Sequence, residues 1–333
     1  MKFSRRHFLS TLTFAGVCQF SFRGAFAEEP QPEVSKIRLQ SNPPAVCIAP
    51  QYVAGEMLRA EGFNEIEYVQ SVAGAQLAAD IAGGKIDFSM QYAGPNIIGI
   101  DAGQPLVNLA GVQVGCFELF AQEGIKKLSD LKGKQVGILA LGSSQHVYLA
   151  TILTHIGLDP KKDINWVTGT YPTPVALFAD RKVDAYLGFA PEPQALRAQK
   201  IGHVLVNSAS DPPWSQYFCC MVTGNRDFVR THPVATKRVV RAILKGVDLC
   251  ATQPKGVARQ IVDAGATPSY DYASQALAEL PYDKWRDYDP EDTLRFYALR
   301  LREAGMIKSS PQKIIAEGTD WQFLNELKRE MKA

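Results

Sequence analysis

The sequence lacks a strong excess of charge of either sign, and this limits the partners to be expected. It has 36 lysines and arginines against 34 aspartates and glutamates, which gives a formal net charge of +2. Such a chain has no electrostatic basis for binding nucleic acid or an anionic membrane surface. Its 46% hydrophobic and 21% charged residues are typical of an ordinary soluble protein with enough apolar material for two cores.

Catalytic sequence motifs are also missing. The chain contains no G-x-S-x-G elbow, no Walker-type phosphate loop, no dinucleotide fingerprint and no H-E-x-x-H helix. The best enzyme hypothesis would pair Cys116 or Cys219 as nucleophile with His146 or His203 as base, but no spacing places these groups together. We therefore predict that the protein is not an enzyme and uses no cofactor.

Paired cysteine spacing is absent as well. Of the six cysteines, five follow residue 27, namely Cys47, Cys116, Cys219, Cys220 and Cys250. An odd number without paired spacing argues against a disulfide framework. We predict buried free thiols that pack as small apolar side chains, and no metal site. Cys219 and Cys220 are neighbours on a predicted strand, so their side chains are expected on opposite faces.

Long apolar runs are missing beyond the N-terminal segment. Residues 9–22 are uncharged, but this run is shorter than the roughly 20 residues that a membrane-spanning helix needs. It follows the adjacent Arg5 and Arg6 and precedes an A-x-A triplet that ends at Ala27. A basic start, a short apolar run and a small-residue end predict a secretory signal peptide over residues 1–27, cleaved near Ala27.

The paired arginines indicate the export route. They are framed by Ser4 and Phe8, an arrangement that resembles the twin-arginine signal. We predict that the twin-arginine export machinery delivers the folded protein to the periplasm. An ordinary secretion signal with two chance basic residues is the alternative.

The most informative feature present is an internal repeat. Residues 77–95 read LAADIAGGKIDFSMQYAGP, and residues 174–192 read PVALFADRKVDAYLGFAPE. Superposing Asp87 on Asp184, an offset of 97 positions (184 − 87), aligns apolar, basic and aromatic positions of the two copies. Each copy predicts an apolar helix, a polar turn, and a short strand that starts at the aspartate. Because both aspartates precede their strands, we interpret them as structural and not as a catalytic pair.

The similarity continues upstream of both copies. The first half has a predicted strand at 37–40 and a helix at 51–60, and the second has a strand at 134–139 and a helix at 145–155. In both halves the helix stops at a glycine. Each half therefore has the pattern β-loop-α-β-α-β, which predicts an α/β fold with two similar lobes, each built on a mainly parallel sheet.

Two further strand-like segments, at 114–121 and 216–223, lie where the chain would pass between the lobes and predict a two-strand hinge. We assign residues 35–120 to the first part of lobe I and residues 121–217 to lobe II. Residues 218–333 are assigned to the return hinge strand and to helices that pack back onto lobe I.

Several stretches together resemble the substrate-binding proteins of ABC importers for nitrate, sulfonate, taurine and thiamine-pyrimidine precursors, the NMT1/THI5-like group. These stretches are AGGKIDFSM at 82–90, DAGQP at 101–105, LSDLKGKQV at 128–136, GSS at 142–144 and RKVDA at 181–185. The resemblance covers residues 37–250. It implies a two-lobed periplasmic binding protein of type II that closes on a small molecule and delivers it to an ABC permease and its ATPase. We expect a monomer.

In open α/β sheets, ligands bind beyond the carboxyl ends of the strands. Six loops are therefore predicted to line one cleft, at 42–46, 71–74, 91–95, 141–145, 168–173 and 188–192. The predicted ligand-binding residues are Pro44, Ala73, Gln91, Tyr92, Gly142, Ser143, Ser144, Tyr171, Phe189, Glu192 and Trp214.

Two groups of these residues have a specific predicted role. Gly142, Ser143 and Ser144 precede a helix, where backbone N–H groups and hydroxyls can hold a carboxylate, sulfonate or amide oxygen; ordinary helix capping without a ligand is the alternative. Tyr92 and Phe189 are equivalent in the two repeats and are predicted to sandwich a planar ring. The alternative is that one or both of them pack inward.

The predicted cleft residues include Glu118 and Glu192 but no arginine or lysine. An arginine clamp is the usual device for a strongly anionic ligand. We therefore predict a planar, neutral or weakly charged aromatic or heteroaromatic ligand. Import of a sulfonate or nitrate, a periplasmic sensor role and an enzyme of the pyrimidine-synthase type are the alternatives, and the last is the weakest because Cys219-Cys220 does not reproduce the cysteine-rich motif of those enzymes.

Overall fold

The computed structural model describes residues 29–169 and 173–331. The predicted signal peptide over residues 1–27 and the predicted binding residue Tyr171 lie outside the described residues. The strands of the described part are β1 (Lys36–Ser41), β2 (Glu65–Gln70), β3 (Phe88–Tyr92), β4 (Leu106–Val114), β5 (Phe117–Ala121), β6 (Gln135–Ile138), β7 (Asn165–Thr168), β8 (Ala185–Phe189), β9 (His203–Asn207) and β10 (Phe218–Asn225).

The described part also contains α-helices that cover both sheets and extend to the C-terminal end. They are α1 (Ala49–Val53), α2 (Gly55–Ala60), α3 (Ala75–Ala82), α4 (Ala93–Asp101), α5 (Ser144–His155), α6 (Pro174–Ala179), α7 (Glu192–Gln199), α8 (Arg226–Thr231), α9 (Pro233–Thr252), α10 (Pro254–Asp263), α11 (Tyr270–Glu279), α12 (Pro290–Glu303), α13 (Pro311–Gly318) and α14 (Gln322–Glu330). Within residues 29–169 and 173–331, no helix has the length and apolar character needed to cross a membrane.

The strands form two five-stranded sheets with the same internal order. The first sheet runs β2-β1-β3-β10-β4, and the second runs β7-β6-β8-β5-β9. In each sheet the first three strands are parallel, and the fourth is antiparallel to both of its neighbours. Each sheet with its helices forms one α/β lobe, which is the arrangement that the sequence repeat predicts.

The chain passes between the sheets twice, and each passage leads into the antiparallel strand of the lobe it enters. β4 ends in the first sheet and β5 begins in the second, so the first passage is at Gly115 and Cys116. The chain returns between β9 and β10, through residues 208–217. We call these two stretches the crossing segments. The predicted boundary at residue 120 falls inside β5, whereas the boundary at residue 217 falls directly before β10.

The two repeat aspartates connect corresponding strands in the two lobes. Asp87 Oδ2 accepts a hydrogen bond from the backbone N–H of Arg38 at 2.8 Å, and Asp184 Oδ2 accepts one from that of Gln135 at 2.9 Å. Each aspartate also donates its own backbone N–H to the carbonyl of the same partner, at 2.9 Å in both lobes. The offset of 97 positions (135 − 38) relates the partners too. Both aspartates therefore fix the start of the third strand against the first.

The C-terminal helices pack on the first lobe and also reach the second. α9 contacts α1 of the first lobe and buries Val239, Leu244 and Val247. α12 contacts α4 of the first lobe and α5 of the second, and Arg300 Nη1 lies 3.1 Å from His155 Nδ1 of α5. α12 therefore lies where α4 of the first lobe and α5 of the second approach each other.

Candidate ligand-binding site

A cavity lies between the two lobes, at the carboxyl ends of their parallel strands, with a free volume of about 50 Å³. Both lobes contribute to its wall, which consists of Asn42, Ala45, Cys47, Ile48, Val72, Ala73, Met90, Gln91, Tyr92, Cys116, Phe117, Leu139, Ser144, Gln145, Phe189 and Cys220. Ligand sites of open α/β sheets occupy this position.

Direct backbone hydrogen bonds join the lobes around the cavity. Val46 N donates to the Ala190 carbonyl at 3.0 Å on one side, and Ala75 N donates to the Gly142 carbonyl at 3.1 Å on the other. The loops of the two lobes are thus in direct contact on two sides of the cavity.

Gly74 lies at the tightest of these contacts. A Cβ atom at this position would lie 2.7 Å from both the Gly142 carbonyl oxygen and Ser143 Cα, which is closer than real Cβ contacts. The backbone of Gly74 also has φ of +124°, a conformation that glycine adopts readily. Any side chain here would separate the two loops.

No charged side chain lines the cavity among the described residues. The oxygen- and nitrogen-bearing side chains of the wall are the amides of Asn42, Gln91 and Gln145 and the hydroxyls of Ser144 and Tyr92. His146, one residue further along α5, accepts a hydrogen bond from Gly142 N at Nδ1, and burial lowers the pKa of its imidazole. The imidazole is therefore neutral near pH 7 and adds no positive charge next to the cavity.

With the hydroxyl of Tyr92, Ser144 Oγ is one of two hydroxyl oxygens of the wall that lack a hydrogen-bond partner among the described residues. It is buried and makes no hydrogen bond within the described chain. Ser143 caps α5 by accepting a hydrogen bond from His146 N, so the neighbouring Ser144 hydroxyl is not needed for capping. Because buried hydroxyls are normally paired, this oxygen is available to a bound molecule.

The structure brings together part of the predicted binding set. Ala73, Gln91, Tyr92, Ser144 and Phe189 line the cavity. The predicted residues that lie nearby without lining it are Pro44, Gly142, Ser143, Glu192 and Trp214.

These nearby residues have other contacts. Pro44 is exposed, while Ser143 and Gly142 form the lobe contact and the cap of α5. Glu192 accepts a hydrogen bond from the Tyr186 hydroxyl, and burial raises the pKa of its carboxyl. Trp214 packs edge-on against Tyr148 at 5.7 Å between ring centroids.

The two predicted aromatic walls differ in burial although both line the cavity. Tyr92 is 2% exposed and contacts Phe117, Tyr148 and Tyr297 edge-on, at centroid distances of 5.8, 5.4 and 5.0 Å. Phe189 is only partly buried against the core. Tyr92 is therefore also a central packing residue, whereas Phe189 is free to follow a ligand.

The sequence interpretation did not find the cysteines of this site. Cys47, Cys116 and Cys220 line the cavity, and their sulfur atoms lie within 4.8 Å of one another. Cys219 Sγ is 2.9 Å from Cys116 Sγ. The sequence held one indication of Cys47: the repeat offset of 97 positions (144 − 47) makes it equivalent to Ser144, which is a predicted binding residue.

The expectation that Cys219 and Cys220 point to opposite faces is wrong. Cys219 Sγ lies 2.9 Å from Cys116 Sγ, and Cys220 Sγ lies within 4.8 Å of the same sulfur. The physical reason is irregular pairing of β10 with β4, where register shifts occur between Phe218 and Cys220 and again after Cys220. Such bulges bend a strand and break the alternation of its faces. The cysteines are nonetheless buried and free, as predicted.

Comparison with known proteins places this geometry in a family. The model of the NMT1-like family matches residues 30–264. A protein of Brucella abortus (strain 2308) that is described as a binding protein is 27% identical over 176 residues, which are 53% of this chain and 54% of the relative. The chain thus spans about half the length of the curated relatives it matches.

Solved structures share the fold. The periplasmic nitrate-binding protein NrtA from Synechocystis PCC 6803 superposes with a TM-score of 0.77 at 15% identity, over 91% of this chain and 90% of that one. The alkanesulfonate-binding protein SsuA from Xanthomonas axonopodis pv. citri, bound to MOPS, gives 0.69 at 18% identity, over 89% and 100%. These matches confirm the two-lobed periplasmic-binding-protein fold. Because the family model covers more than half of the sequence, the chain belongs to the NMT1-like family.

Proposed function

We propose that the protein captures a small uncharged solute in the cavity between its lobes and passes it to an ABC importer. The observation that carries this proposal is the cavity wall, which comes from both lobes and has no charged side chain among the described residues. A ligand that contacts both lobes favours the closed arrangement over an open one. The relative described as a binding protein supports the same role and supports a non-enzymatic one.

The wall also supports a chemical class for the solute. Tyr92 and Phe189 offer aromatic faces, and Ser144 offers an unpaired hydroxyl. A planar heteroaromatic ring or a planar amide, with one polar edge toward Ser144, makes use of all three. The free volume of about 50 Å³ holds only a few water-sized groups, so the solute is compact.

An anionic solute is the second candidate. The solved neighbours are named for nitrate and alkanesulfonate binding, and the first turn of α5 faces the cavity through Ser144 and Gln145. The N-terminus of a helix attracts negative charge. We rank this candidate lower because no arginine or lysine lines the cavity among the described residues.

The cellular setting follows from the same proposal. The signal over residues 1–27 directs the protein to the periplasm through twin-arginine export, and the protein acts there as a monomer. The lobes move about the crossing segments, which serve as the hinge. The closed form presents its outer surface to a permease and its ATPase. A sensor would present the same surface to a receptor, and growth on the solute with and without the permease distinguishes these roles.

A thermal-shift screen of residues 28–333 tests the proposal. The panel contains heteroaromatic bases, vitamin precursors, aromatic acids, amides, sulfonates, nitrate and amino acids. A ligand at a hundred times its Kd stabilises the folded state by about 2.7 kcal/mol, which raises the Tm visibly. We expect a hit among uncharged planar compounds. A hit confined to nitrate or sulfonates would overturn the uncharged-solute assignment, and no hit at all would count against solute capture.

A further inference from the structure

Three thiols from three separate parts of the chain meet at the floor of the cavity. Cys47 belongs to the loop after β1, Cys116 to the first crossing segment and Cys220 to the start of β10. All three are buried, and all three line the cavity. Their sulfur atoms are within 4.8 Å of one another. A packing role for small apolar side chains does not require the sulfur atoms to converge in this way.

This spacing is close to that of a metal site. Three sulfurs bound at about 2.3 Å to one ion in a trigonal plane are about 4 Å apart. The thiols therefore need to move by less than an ångström, on the order of a side-chain adjustment, to share an ion. Cys116 is already held at φ of 148°, a conformation that non-glycine residues rarely adopt. Strain of this kind is commonly kept at functional sites.

The donor atoms around the cluster are soft. The cavity wall adds the thioether of Met90, but no histidine, aspartate or glutamate among the described residues. Thiolate and thioether ligands favour soft metals, which include Cu(I) and zinc, but closed zinc sites use four ligands in a tetrahedron and only three thiols converge here. Gln113 supplies support from behind, since its Nε2 donates to Cys220 Sγ at 3.3 Å. Such supporting hydrogen bonds orient metal-binding side chains.

We propose that Cys47, Cys116 and Cys220 bind one thiophilic metal ion, Cu(I), on the floor of the cavity. The ion displaces thiol protons to the solvent when it binds. It joins the loop of the first lobe to the first crossing segment and to β10. The thiols and the proposed solute contacts Tyr92, Ser144 and Phe189 are different side chains of the same cavity wall.

Titration with Cu(I) alone tests the site, in the absence of oxygen and of any solute. The reduced protein competes with a chromophoric Cu(I) chelator, and the chelator's absorbance gives the amount of ion transferred. We expect one Cu(I) per chain. Cys47→Ser and Cys220→Ser are expected to weaken retention by at least about tenfold. Cys250→Ser is the matched control, since Cys250 is equally buried in α9 but does not line the cavity.

A second measurement uses the wild-type chain and so does not depend on how the variants fold. Alkylation followed by mass spectrometry compares metal-free and Cu(I)-loaded protein. We expect loading to protect Cys47, Cys116 and Cys220 and to leave the labelling of Cys250 unchanged.

Several results would overturn the proposal. Unchanged Cu(I) retention in both Cys47→Ser and Cys220→Ser is one. Retention of Zn(II) in preference to Cu(I) is another, and recovery of Cys116 and Cys219 as a disulfide from the exported protein is a third, because Cys116 would then have no thiolate to offer. None of these results bears on the solute screen, which reports on capture without metal.

Discussion

The two lobes have the same sheet order and the same aspartate contact, yet they differ in how firmly their cavity walls are held. In the first lobe Tyr92 is enclosed by Phe117, Tyr148 and Tyr297. In the second lobe the equivalent Phe189 has no such aromatic enclosure within residues 29–169 and 173–331 and is partly exposed. Two of these rings, Phe117 and Tyr148, belong to the second lobe, and Tyr297 belongs to the C-terminal helix α12. The repeat therefore preserves the backbone plan, whereas the ring contacts of the two equivalent residues differ.

The largest expected effect separates the two aromatic walls. Tyr92→Ala should lower the free energy of unfolding by about 3–5 kcal/mol, because a large buried ring leaves a cavity. Phe189→Ala should lower it by only about 1–2 kcal/mol, because the ring is already partly exposed. Urea unfolding of both variants measures this. Equal losses of unfolding free energy in the two variants would show that Tyr92 and Phe189 contribute equally to stability, which contradicts the contrast drawn above.

Phe189 is the better residue for testing solute binding, because its replacement costs less folding stability than that of Tyr92. Phe189→Ala should weaken binding of the solute found in the screen by about 1–3 kcal/mol, judged from the burial of a large apolar side chain. Calorimetric titration of the folded variant measures it. Unchanged affinity in Phe189→Ala would count against an aromatic wall on the second lobe.

The aspartates give the next largest contrast. Asp87 is 2% exposed and binds the Arg38 guanidinium at 2.6 Å as well as its backbone, whereas the side chain of Asp184 accepts a hydrogen bond from the backbone N–H of Gln135. Asp87→Ala should cost about 3 kcal/mol of folding stability, since it leaves a partly buried charge and an N–H without their partner. Asp184→Ala should cost about 1 kcal/mol. Chemical denaturation of the two variants measures the difference, and similar losses would mean that the Arg38 contact adds nothing.

Much of the backbone plan could be predicted from the sequence, because it rests on local patterns repeated at one offset. The helix predicted at 145–155 is α5 (Ser144–His155), and the strands predicted near the two passages are β5 and β10. The helix predicted at 51–60 is divided at Ala54 into α1 and α2. Local periodicity does not report such an interruption, since the apolar spacing continues through it.

The candidate site was only partly predictable, because its character depends on contacts between distant residues. The enclosure of Tyr92 needs Tyr297 of α12, and the thiol cluster needs residues 47, 116 and 220 to meet. The bulge that turns Cys219 and Cys220 toward one place has no glycine or proline to mark it in the sequence. Residue types at the ends of strands predicted the location of the cavity, but its uncharged wall depends on which side chains turn inward.

The contact between the loops of the two lobes can be tested by a substitution at Gly74. Gly74→Ala places a Cβ against the backbone of residues 142 and 143 and should reduce solute affinity by about tenfold or more, because the closed arrangement is disfavoured. Gly84→Ala is the matched control, since Gly84 also has a positive φ, of +69°, but its Cβ would meet nothing within 4 Å. Calorimetric titration compares the two variants. Equal affinities would show that the loop contact is not part of the binding arrangement.

The smallest effect distinguishes the two neighbouring serines of the second lobe. Ser144→Ala removes the unpaired hydroxyl and should weaken solute binding by about 1 kcal/mol, roughly fivefold, with no loss of stability. Ser143→Ala removes the cap of α5 and should cost about 1 kcal/mol of stability while affinity is kept. Calorimetry and denaturation on both variants give the four values. If Ser143→Ala weakened binding and Ser144→Ala did not, the second lobe would hold the solute through the N-cap residue of α5 and not through the unpaired hydroxyl of Ser144.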